Sequence, residues 1–230
     1  MRDITVIRAR DLPEAWFLCV RECLLKGREY TISKGSFEGT KRKEFDFVVV
    51  QVEHPSSRPL APTLPEGVPS PTSDTYIEEY LTYLLTPEKA KGEHYTYGED
   101  LSGHPYNQVE EVIRRYKQWG HDTNRCCMSV GSKQSIFLYR LEEEVKGAQA
   151  SSQCLRVVDT AIRDGALHFY VYFRSWDMYS GFPTNLGGLQ LLKEYMASSI
   201  GVPDGELIAC SKGLHLYEHS WKAARMAVGL

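Results

Sequence analysis

The chain has 230 residues, of which 42% are hydrophobic and 25% are charged, and its formal net charge is −3 at pH 7. These values are ordinary for a globular protein and argue against nucleic acid or an acidic membrane surface as the main partner. No apolar run approaches the roughly 20 residues needed to span a bilayer, and the N-terminus lacks the apolar centre of a signal peptide, so we expect a cytoplasmic protein.

Six cysteines are present, and no two of them form a C-x-x-C pair. This arrangement predicts free thiols in a reducing compartment and no zinc or other metal site. The six are Cys19, Cys23, Cys126, Cys127, Cys154 and Cys210.

The first fifty residues predict a strand, a helix and a second strand. Thr5 to Ala9 alternate weakly, and Asp11-Leu-Pro-Glu14 is a capping box for a helix that ends near Gly27. Ser33 to Lys43 is polar and basic, which fits either a solvated hairpin or a phosphate-binding loop. Phe45 to Val52 is a nearly continuous apolar run, typical of a strand buried on both faces.

Six of the eleven prolines lie between His54 and Pro71, so this segment predicts a long irregular loop. A surface crossing is favoured over a domain linker, because the part of the chain before it is too short for a core of its own. Ser73-Asp74 then caps a helix that ends before Pro87, and Asn107 to Gly120 predicts an amphipathic helix.

The second half of the chain predicts mostly strands. Arg125 to Gly131 and Ser135 to Arg140 fit two short strands, which a charged loop from Leu141 to Ser152 follows. Leu155 to Ile162 and Leu167 to Phe173 are joined by Asp164-Gly165, a strong signal for a two-residue hairpin.

A helix from Leu186 to Ile200 and strands at Leu207 to Cys210 and Leu214 to Tyr217 complete the pattern. The prediction is a mixed α/β (α+β) fold in which a large mixed sheet is covered by helices. We expect residues 1–230 to form a single domain.

The stretch FRSWDMYSGFPTN, Phe173 to Asn185, lies where a predicted strand ends and the next helix begins. It holds an arginine, a serine, an aspartate and an asparagine in one short loop. Proteins of the α/β class place ligands at the carboxyl ends of strands. The stretch therefore predicts either a ligand site or a solvated connection.

Four separate pieces of the chain, in order and in spacing, resemble the thymidylate synthases. The nucleophile of that family precedes its arginine-serine pair by twenty residues, as Cys154 precedes Arg174 here. The resemblance covers Thr75 to Trp221 well and the first seventy residues poorly. The pieces are Tyr97-Gly98 in YTYGED, Cys154, the block from Arg174 to Asn185, and His215-x-Tyr217 in KGLHLYEH.

The resemblance implies a thymidylate-synthase-like fold and a folate-dependent reaction. The Cys154 thiolate would add to C6 of dUMP, and C5 would attack the one-carbon unit of 5,10-methylenetetrahydrofolate. A hydride from the folate would then complete the methyl group of dTMP. From the thiol alone, a buried structural cysteine is the favoured interpretation of Cys154, and the spacing to Arg174-Ser175 reverses that preference.

A nucleophilic Cys154 needs a positive neighbour, because a free thiol has a pKa of about 8.5. Arg174 and Arg156 are the cations within sequence reach. We expect one of them to lower the Cys154 pKa by roughly one unit or more.

The base of the nucleotide would be read by three residues that the resemblance implies. Glu79 would organise water and protons around O4, and Tyr97 would assist near the C5 proton. Asn185 would pair with the base edge, because a carboxamide offers the donor and the acceptor that match O4 and N3–H of uracil. Family relatives that act on deoxycytidylate carry an aspartate there, so dUMP is the expected substrate.

The rest of the nucleotide and the folate have implied partners too. His215 and Tyr217 would hold the sugar 3′-hydroxyl, Arg174 and Ser175 the phosphate, and Asp177 the pterin of the folate.

Several of these residues also have a structural interpretation. Glu79 sits on a predicted helix, where glutamates are usually solvated, and Asn185 could cap a helix. His215 and Tyr217 could form one face of a half-buried strand.

The sequence departs from the family pattern near the phosphate. The double arginine that the family donates across its dimer is Asn124-Arg125 here, so a homodimer with shared sites would use Arg125 alone. Lys34 and Arg42 are candidates for a further phosphate-binding cation. The family's cysteine-histidine pair is Cys154-Leu155, as in a divergent branch that includes archaeal-type members.

Two other activities stay open beside methyl transfer. A pyrimidine nucleotide hydroxymethylase is compatible with the short, tryptophan-free segment Thr86 to Thr96, because water would then reach the intermediate. Trp176 could replace the missing shield or belong to the core. A non-catalytic nucleotide- or RNA-binding member is the third interpretation, although binding alone would not need the Cys154 thiol.

Overall fold

The computed structural model describes residues 4–34, 37–89, 91, 93–138, 140 and 152–230. Its strands are β1 Thr5–Ala9, β2 Arg28–Thr31, β3 Lys41–Glu44, β4 Val48–Val52, β5 Cys127–Ser129, β6 Leu155–Arg163, β7 Ala166–Phe173, β8 Trp176–Asp177, β9 Asp204–Ser211 and β10 Leu214–Tyr217. Its helices are α1 Leu12–Lys26, α2 Asp74–Leu85, α3 Gly98–Leu101, α4 Gln108–Trp119, α5 Gly181–Ile200 and α6 Trp221–Val228.

The strands form a mixed six-stranded sheet and a smaller four-stranded sheet. The large sheet has the order β1-β4-β9-β7-β6-β5, and the small sheet has the order β2-β3-β10-β8. In the large sheet β1–β4 and β7–β9 are parallel pairs and the other pairs are antiparallel. The buried apolar side chains of the described chain form one cluster that runs from Ile7 to Ala227. The mixed α/β fold class is therefore confirmed.

Several elements are encoded locally, as predicted. The Asp11 carboxylate accepts from the Glu14 backbone N–H at 2.9 Å and caps α1. The Ser73 hydroxyl accepts from the Tyr76 N–H at 3.1 Å and caps α2. Asp164 and Gly165 have φ angles of 50° and 78°, the two positive values that a tight hairpin between β6 and β7 requires.

The predicted strand from Ser135 to Arg140 is wrong. Ser135–Phe137 is a 3₁₀ turn, and Leu138 and Arg140 are helical. The Ser132 hydroxyl accepts from the Gln134 N–H at 3.1 Å, and the Ser132 carbonyl accepts from the Ser135 N–H. These local bonds start a turn instead of a ladder. The predicted charged loop that follows lies outside the described residues except for Ser152.

Two predicted element boundaries also differ from the structure. The strand expected at Phe45 begins at Val48 and is buried on one face only, since Val49 and Gln51 are half-buried. The helix expected at Leu186 begins five residues earlier, at Gly181.

The large sheet has one face whose residues are buried and one face whose residues are half-buried or exposed. Along β7 the inward residues are buried, whereas the residues between them are half-buried. Strand register aligns these outward residues into rows across the sheet. One such row is Val6, Val49, Cys210, Tyr172 and Val157. We call this surface the open sheet face; it is more apolar than a solvated surface requires.

Helix α2 approaches α5 closely where α5 carries two glycines. A Cβ on Gly187 would lie 2.7 Å from Ile77 Cγ2, and a Cβ on Gly188 would lie 2.5 Å from Tyr80 Cδ1. Both distances are shorter than van der Waals contact allows. The missing side chains therefore set the distance between the two helices.

The middle of α5 buries a lysine. Lys193 is fully buried, and its ammonium donates to the backbone carbonyls of Gly205 and Glu206. The Asp204 carboxylate lies 3.8 Å away. Burial lowers the pKa of Lys193 to about 8.

Gly187→Ala should destabilise the fold by about 1–3 kcal/mol, because the added methyl group meets the buried Ile77. The effect should appear although alanine favours a helix over glycine by roughly 1 kcal/mol. Chemical denaturation measures the change in unfolding free energy. The matched control is Ser198→Ala at an exposed position of the same helix. Equal stability of Gly187→Ala and wild type would contradict the tight helix contact.

Candidate functional site

Cys154 and Arg174 meet at the ends of neighbouring strands. Cys154 precedes β6 and Arg174 follows β7, and the adjacent residues Leu155 and Phe173 are register partners. The Arg174 backbone N–H donates to the Cys154 carbonyl at 2.9 Å. Its guanidinium donates from Nε to the Gln153 carbonyl at 3.1 Å and from Nη2 to the Ser152 carbonyl at 2.6 Å. Arg174 thus fixes the backbone that carries the thiol.

The expectation of a lowered Cys154 pKa is wrong for the chain without ligands. Burial raises the pKa of the half-buried Cys154 thiol, whereas the Arg174 charge and the Tyr95 hydroxyl act to lower it. Arg156 is not among these causes; it reaches the Ser152 hydroxyl at 3.5 Å. The removal of water around the sulfur raises the pKa by more than the Arg174 guanidinium lowers it. The thiol is therefore neutral near pH 7.

A group of tyrosines surrounds the approach to Cys154. The buried Tyr97 hydroxyl accepts from the Leu155 N–H at 3.3 Å, one residue from the thiol. The Tyr95 ring lies 5.6 Å from the Tyr97 ring, and the Tyr83 hydroxyl donates to the Tyr95 carbonyl at 2.8 Å. Burial raises the pKa of Tyr95 to about 12, so its hydroxyl is a neutral donor at physiological pH.

Glu79 lies at the rim of a pocket that four tyrosines line. The pocket has a volume of about 350 Å³. Glu79 is exposed, and Tyr97 forms the buried side of the pocket. The lining residues are Tyr76, Glu79, Tyr80, Tyr83, Glu93 and Tyr97.

The Asn185 amide is held by two aromatic residues from different elements. The buried Trp176 indole donates to Asn185 Oδ1 at 2.8 Å. Asn185 Nδ2 donates to the Tyr80 hydroxyl at 2.7 Å. Asn185 is in the second turn of α5, so its interpretation as the helix cap is wrong. Asp177 caps instead: its Oδ2 accepts from the Ser180 and Gly181 N–H groups at 3.0 and 2.9 Å. This explains the early start of α5.

His215 presents an unpaired nitrogen in a buried position. Its Nδ1 donates to the Gly213 carbonyl at 2.8 Å, because a carbonyl can only accept. Its Nε2 is buried without a hydrogen-bond partner in the described part of the chain. Burial lowers the pKa of His215, so the ring is neutral and Nε2 is an acceptor that a hydroxyl could satisfy.

Tyr217 lies between His215 and Arg42, which belongs to the basic segment Ser33 to Lys43. Its ring lies 4.6 Å from the His215 ring, so the two residues share one face of β10, as predicted. Burial raises the pKa of Tyr217; Arg42 opposes this effect, whereas Asp177 and Cys154 add to it. Arg42, Asp177 and Cys154 therefore each lie within electrostatic reach of the Tyr217 hydroxyl.

Of the two candidate cations in the basic segment, the structure places Arg42 beside the site. Arg42 is the register partner of Tyr217 and pairs with the buried Glu44 at 2.9 Å. Lys34 is exposed. Ser175 is half-buried next to Arg174. The segment connects β2 and β3, which pair antiparallel, and residues 35 and 36 lie outside the described residues.

Arg125 does not reach Cys154 of its own chain. It is exposed and comes two residues before β5. The adjacent Cys126 carbonyl accepts from the Thr160 N–H, which lies six residues along β6 from Cys154. That separation corresponds to about 20 Å of extended strand. Cys126 is buried and Cys127 exposed, so Arg125 is on the side of the open sheet face.

Three contacts of the site were not predicted from the sequence. Tyr80 follows Glu79, Tyr95 precedes Tyr97 by two residues, and Trp176 lies inside the Arg174–Asn185 block. Trp176 is buried, which favours its interpretation as a core residue. Within the described residues there is no group of three or more His, Cys, Asp or Glu placed to hold a metal ion. No described helix has the length and apolar character to cross a membrane.

The sequence model of the family described as thymidylate synthase matches residues 79–228. This range contains every site residue predicted from the sequence except Arg42 and Lys34. The chain belongs to the thymidylate synthase family.

Archaeal members of the family are similar to the chain over nearly its whole length. A Methanococcoides burtonii protein is 30% identical over 218 residues, covering 94% of this chain and 91% of its own. A Methanosarcina acetivorans protein is 29% identical over 220 residues with the same coverage. A Methanothermobacter thermautotrophicus protein is 27% identical over 234 residues, covering 96% and 97%. All three bear the name "Putative thymidylate synthase".

The pH dependence of Cys154 alkylation tests the electrostatics of this thymidylate synthase family site. Because burial outweighs Arg174, the rate with iodoacetamide should rise only above the ordinary thiol pKa of about 8.5. Arg174→Gln should move the profile to still higher pH. Peptide mapping by mass spectrometry separates Cys154 from the exposed Cys127.

Arg156→Gln is the matched control, because this arginine is close in sequence but does not act on the thiol. Its profile should coincide with that of wild type. A shift as large as that of Arg174→Gln would show that the assignment of the cation is wrong.

Proposed function

We propose that the chain catalyses the reductive methylation of dUMP to dTMP with 5,10-methylenetetrahydrofolate. The observation that carries this proposal is the thiol of Cys154 beside Arg174, one residue from the Leu155 N–H that binds the Tyr97 hydroxyl. Tyr97 lines the same pocket as Glu79 and Tyr80, and the Tyr80 hydroxyl binds Asn185. A site for binding alone would have no use for a thiol in this position. Family membership makes a transferase of nucleotide biosynthesis the natural class.

In this proposal Cys154 attacks C6 of the pyrimidine as a thiolate. Burial disfavours that ion in the free chain, so the thiolate would form as the substrate arrives. Arg174 and Tyr95 are the groups that stabilise negative charge on the sulfur. The Tyr97 hydroxyl, fixed by the Leu155 N–H, would lie near the proton that leaves C5.

The remaining contacts match the parts of a deoxynucleotide. The unpaired Nε2 of His215 can accept the hydrogen bond of a sugar hydroxyl, and the Tyr217 hydroxyl can add a second contact. Arg174 and Ser175 would bind the phosphate, with Arg42 as a further cation at the same end. Asn185 would pair with O4 and N3–H of the base.

The folate supplies a one-carbon unit and a hydride when it is bound, and the chain offers two carboxylates to position it. Asp177 uses Oδ2 to cap α5, whereas Oδ1 has no hydrogen-bond partner in the described ranges and could accept from the amino edge of a pterin. Glu79 stands at the rim of the tyrosine pocket, where it could order water and protons around the base.

We further propose a homodimer in which the open sheet face packs against its copy. The row of Val6, Val49, Cys210, Tyr172 and Val157 gives that face the apolar character of an interface. Arg125 lies on the same side of the sheet, far from its own Cys154. A two-fold interface would let Arg125 reach the phosphate in the partner's site.

The second candidate is a pyrimidine nucleotide 5-hydroxymethylase. It is favoured by the polar lining of the pocket next to Glu79, where Tyr76 is 54% exposed and the segment Thr86 to Thr96 contains no tryptophan. Water that enters there could add to the intermediate in place of hydride.

A covalent adduct with 5-fluoro-dUMP and methylenetetrahydrofolate tests the proposed chemistry. Mass spectrometry should find both ligands attached to Cys154, and Cys154→Ser should abolish the adduct. The exposed Cys127 offers a matched control, since Cys127→Ser should form the adduct normally. Binding of 5-fluoro-dUMP without any adduct would favour a non-catalytic binding protein.

The products of turnover then separate the two reactions. With dUMP as substrate, dTMP should accumulate together with dihydrofolate, seen as a rise in absorbance at about 340 nm. Accumulation of 5-hydroxymethyl-dUMP with tetrahydrofolate would instead support the hydroxymethylase.

Subunit mixing tests the shared site. Arg125→Ala and Cys154→Ser should each have little activity, whereas mixed dimers regain one intact site, or about a quarter of wild-type activity after random exchange. Arg174→Ala mixed with Cys154→Ser is the control and should stay inactive, because each substitution disables the site of its own subunit. No recovery in the first mixture would contradict the homodimer proposal.

A further inference from the structure

The geometry points to Trp176 as a positioning residue that sets the base specificity of the site. Its indole N–H donates to Asn185 Oδ1 at 2.8 Å, and Asn185 Nδ2 faces the Tyr80 hydroxyl at 2.7 Å. Trp176 thereby holds the amide in the orientation that accepts uracil and rejects cytosine. The inference rests on the proposed function, in which Asn185 reads the base.

The indole determines the amide orientation because it can only donate. An amide turned by 180° would place its NH₂ group against the indole N–H, leaving two donors face to face. The Tyr80 hydroxyl can donate or accept, so it tolerates either orientation. The preference therefore comes from Trp176 alone, and it does not depend on how the amide oxygen and nitrogen were assigned.

Trp176 is itself held rigidly. Its ring is 2% exposed and stacks on Phe173 with centroids 4.0 Å apart and an interplanar angle of 7°. Phe182 contacts it at 4.7 Å, and its backbone N–H donates to the Gly213 carbonyl at 3.0 Å. A donor fixed in this way cannot turn aside to accommodate a flipped amide.

The locked amide has one donor and one acceptor left for a ligand. Nδ2 has two hydrogens and Oδ1 has two lone pairs, and the protein uses one of each. Uracil presents an acceptor at O4 and a donor at N3–H, which match this orientation. Cytosine presents a donor at its 4-amino group and an acceptor at N3, which match only the flipped amide.

The test compares dUMP and dCMP binding to wild type, Trp176→Phe and Tyr80→Phe by isothermal titration calorimetry. Phenylalanine at position 176 keeps an aromatic ring but removes the N–H, so the amide is free to flip. The ratio of dUMP affinity to dCMP affinity should then fall at least about tenfold. Tyr80→Phe should keep the wild-type ratio, because the indole still orients the amide.

A merely structural role for Trp176 predicts a different result. Trp176→Phe would then weaken both nucleotides equally and leave the ratio unchanged, which would overturn the inference while the proposed function stands. A wild-type protein that binds neither nucleotide would overturn both.

If Trp176→Phe does not fold, benzothienylalanine can be introduced at position 176 by nonsense suppression. Its sulfur replaces the indole N–H in a ring of nearly the same shape, so the stacking on Phe173 is kept. The same fall in the ratio is expected. An unchanged ratio in this isosteric variant would refute the role of the N–H.

Discussion

The hydrogen bonds from Arg174 to the backbone of Ser152, Gln153 and Cys154 are the contacts on which the proposed site depends. They join the end of β7 to the segment that enters β6, so the thiol cannot shift relative to the arginine. Charged donors on backbone carbonyls are stronger than neutral ones. The same guanidinium is the cation that opposes, in part, the effect of burial on the Cys154 pKa. One side chain therefore provides both position and charge.

The other half of the site depends on how α5 begins and what it packs against. Asp177 accepts from the first N–H groups of the helix, which begins at Gly181, five residues before the apolar pattern at Leu186. The added residues carry Phe182 and Asn185. Gly187 and Gly188 then allow α2 to come close enough for Tyr80 to reach that asparagine. Small changes in the packing of α2 on α5 would therefore alter the hydrogen bond between Tyr80 and Asn185.

Sequence reasoning succeeded where the signal is local. The Asp164-Gly165 turn and the Asp11 and Ser73 caps involve residues within four positions of one another. It failed at Ser135 to Arg140, where the apolar Ile136 and Phe137 suggested a strand but are exposed in a turn. The fold class and the family were predicted correctly, because spaced motifs carry information over long stretches of chain.

The contacts that tune the site could not be predicted in the same way. Tyr80 and Asn185 are 105 positions apart, and nothing in either neighbourhood indicates the other. The Cys154 pKa was expected to fall because its cation was visible in the sequence, whereas the burial that raises the pKa is a property of the folded chain. Arg42 was one of two candidates until strand register placed it opposite Tyr217.

The buried Lys193 couples folding to the release of protons. Its pKa is about 8 in the folded chain against an ordinary value of 10.5. Between those pH values the unfolded chain holds a proton that the folded chain has released, so this group's contribution to the unfolding free energy increases with pH, by up to about 1.4 kcal/mol per unit. Below about pH 8 the full penalty of burying an ammonium ion is present. In mildly alkaline solution, folding of the chain thus releases a proton from Lys193.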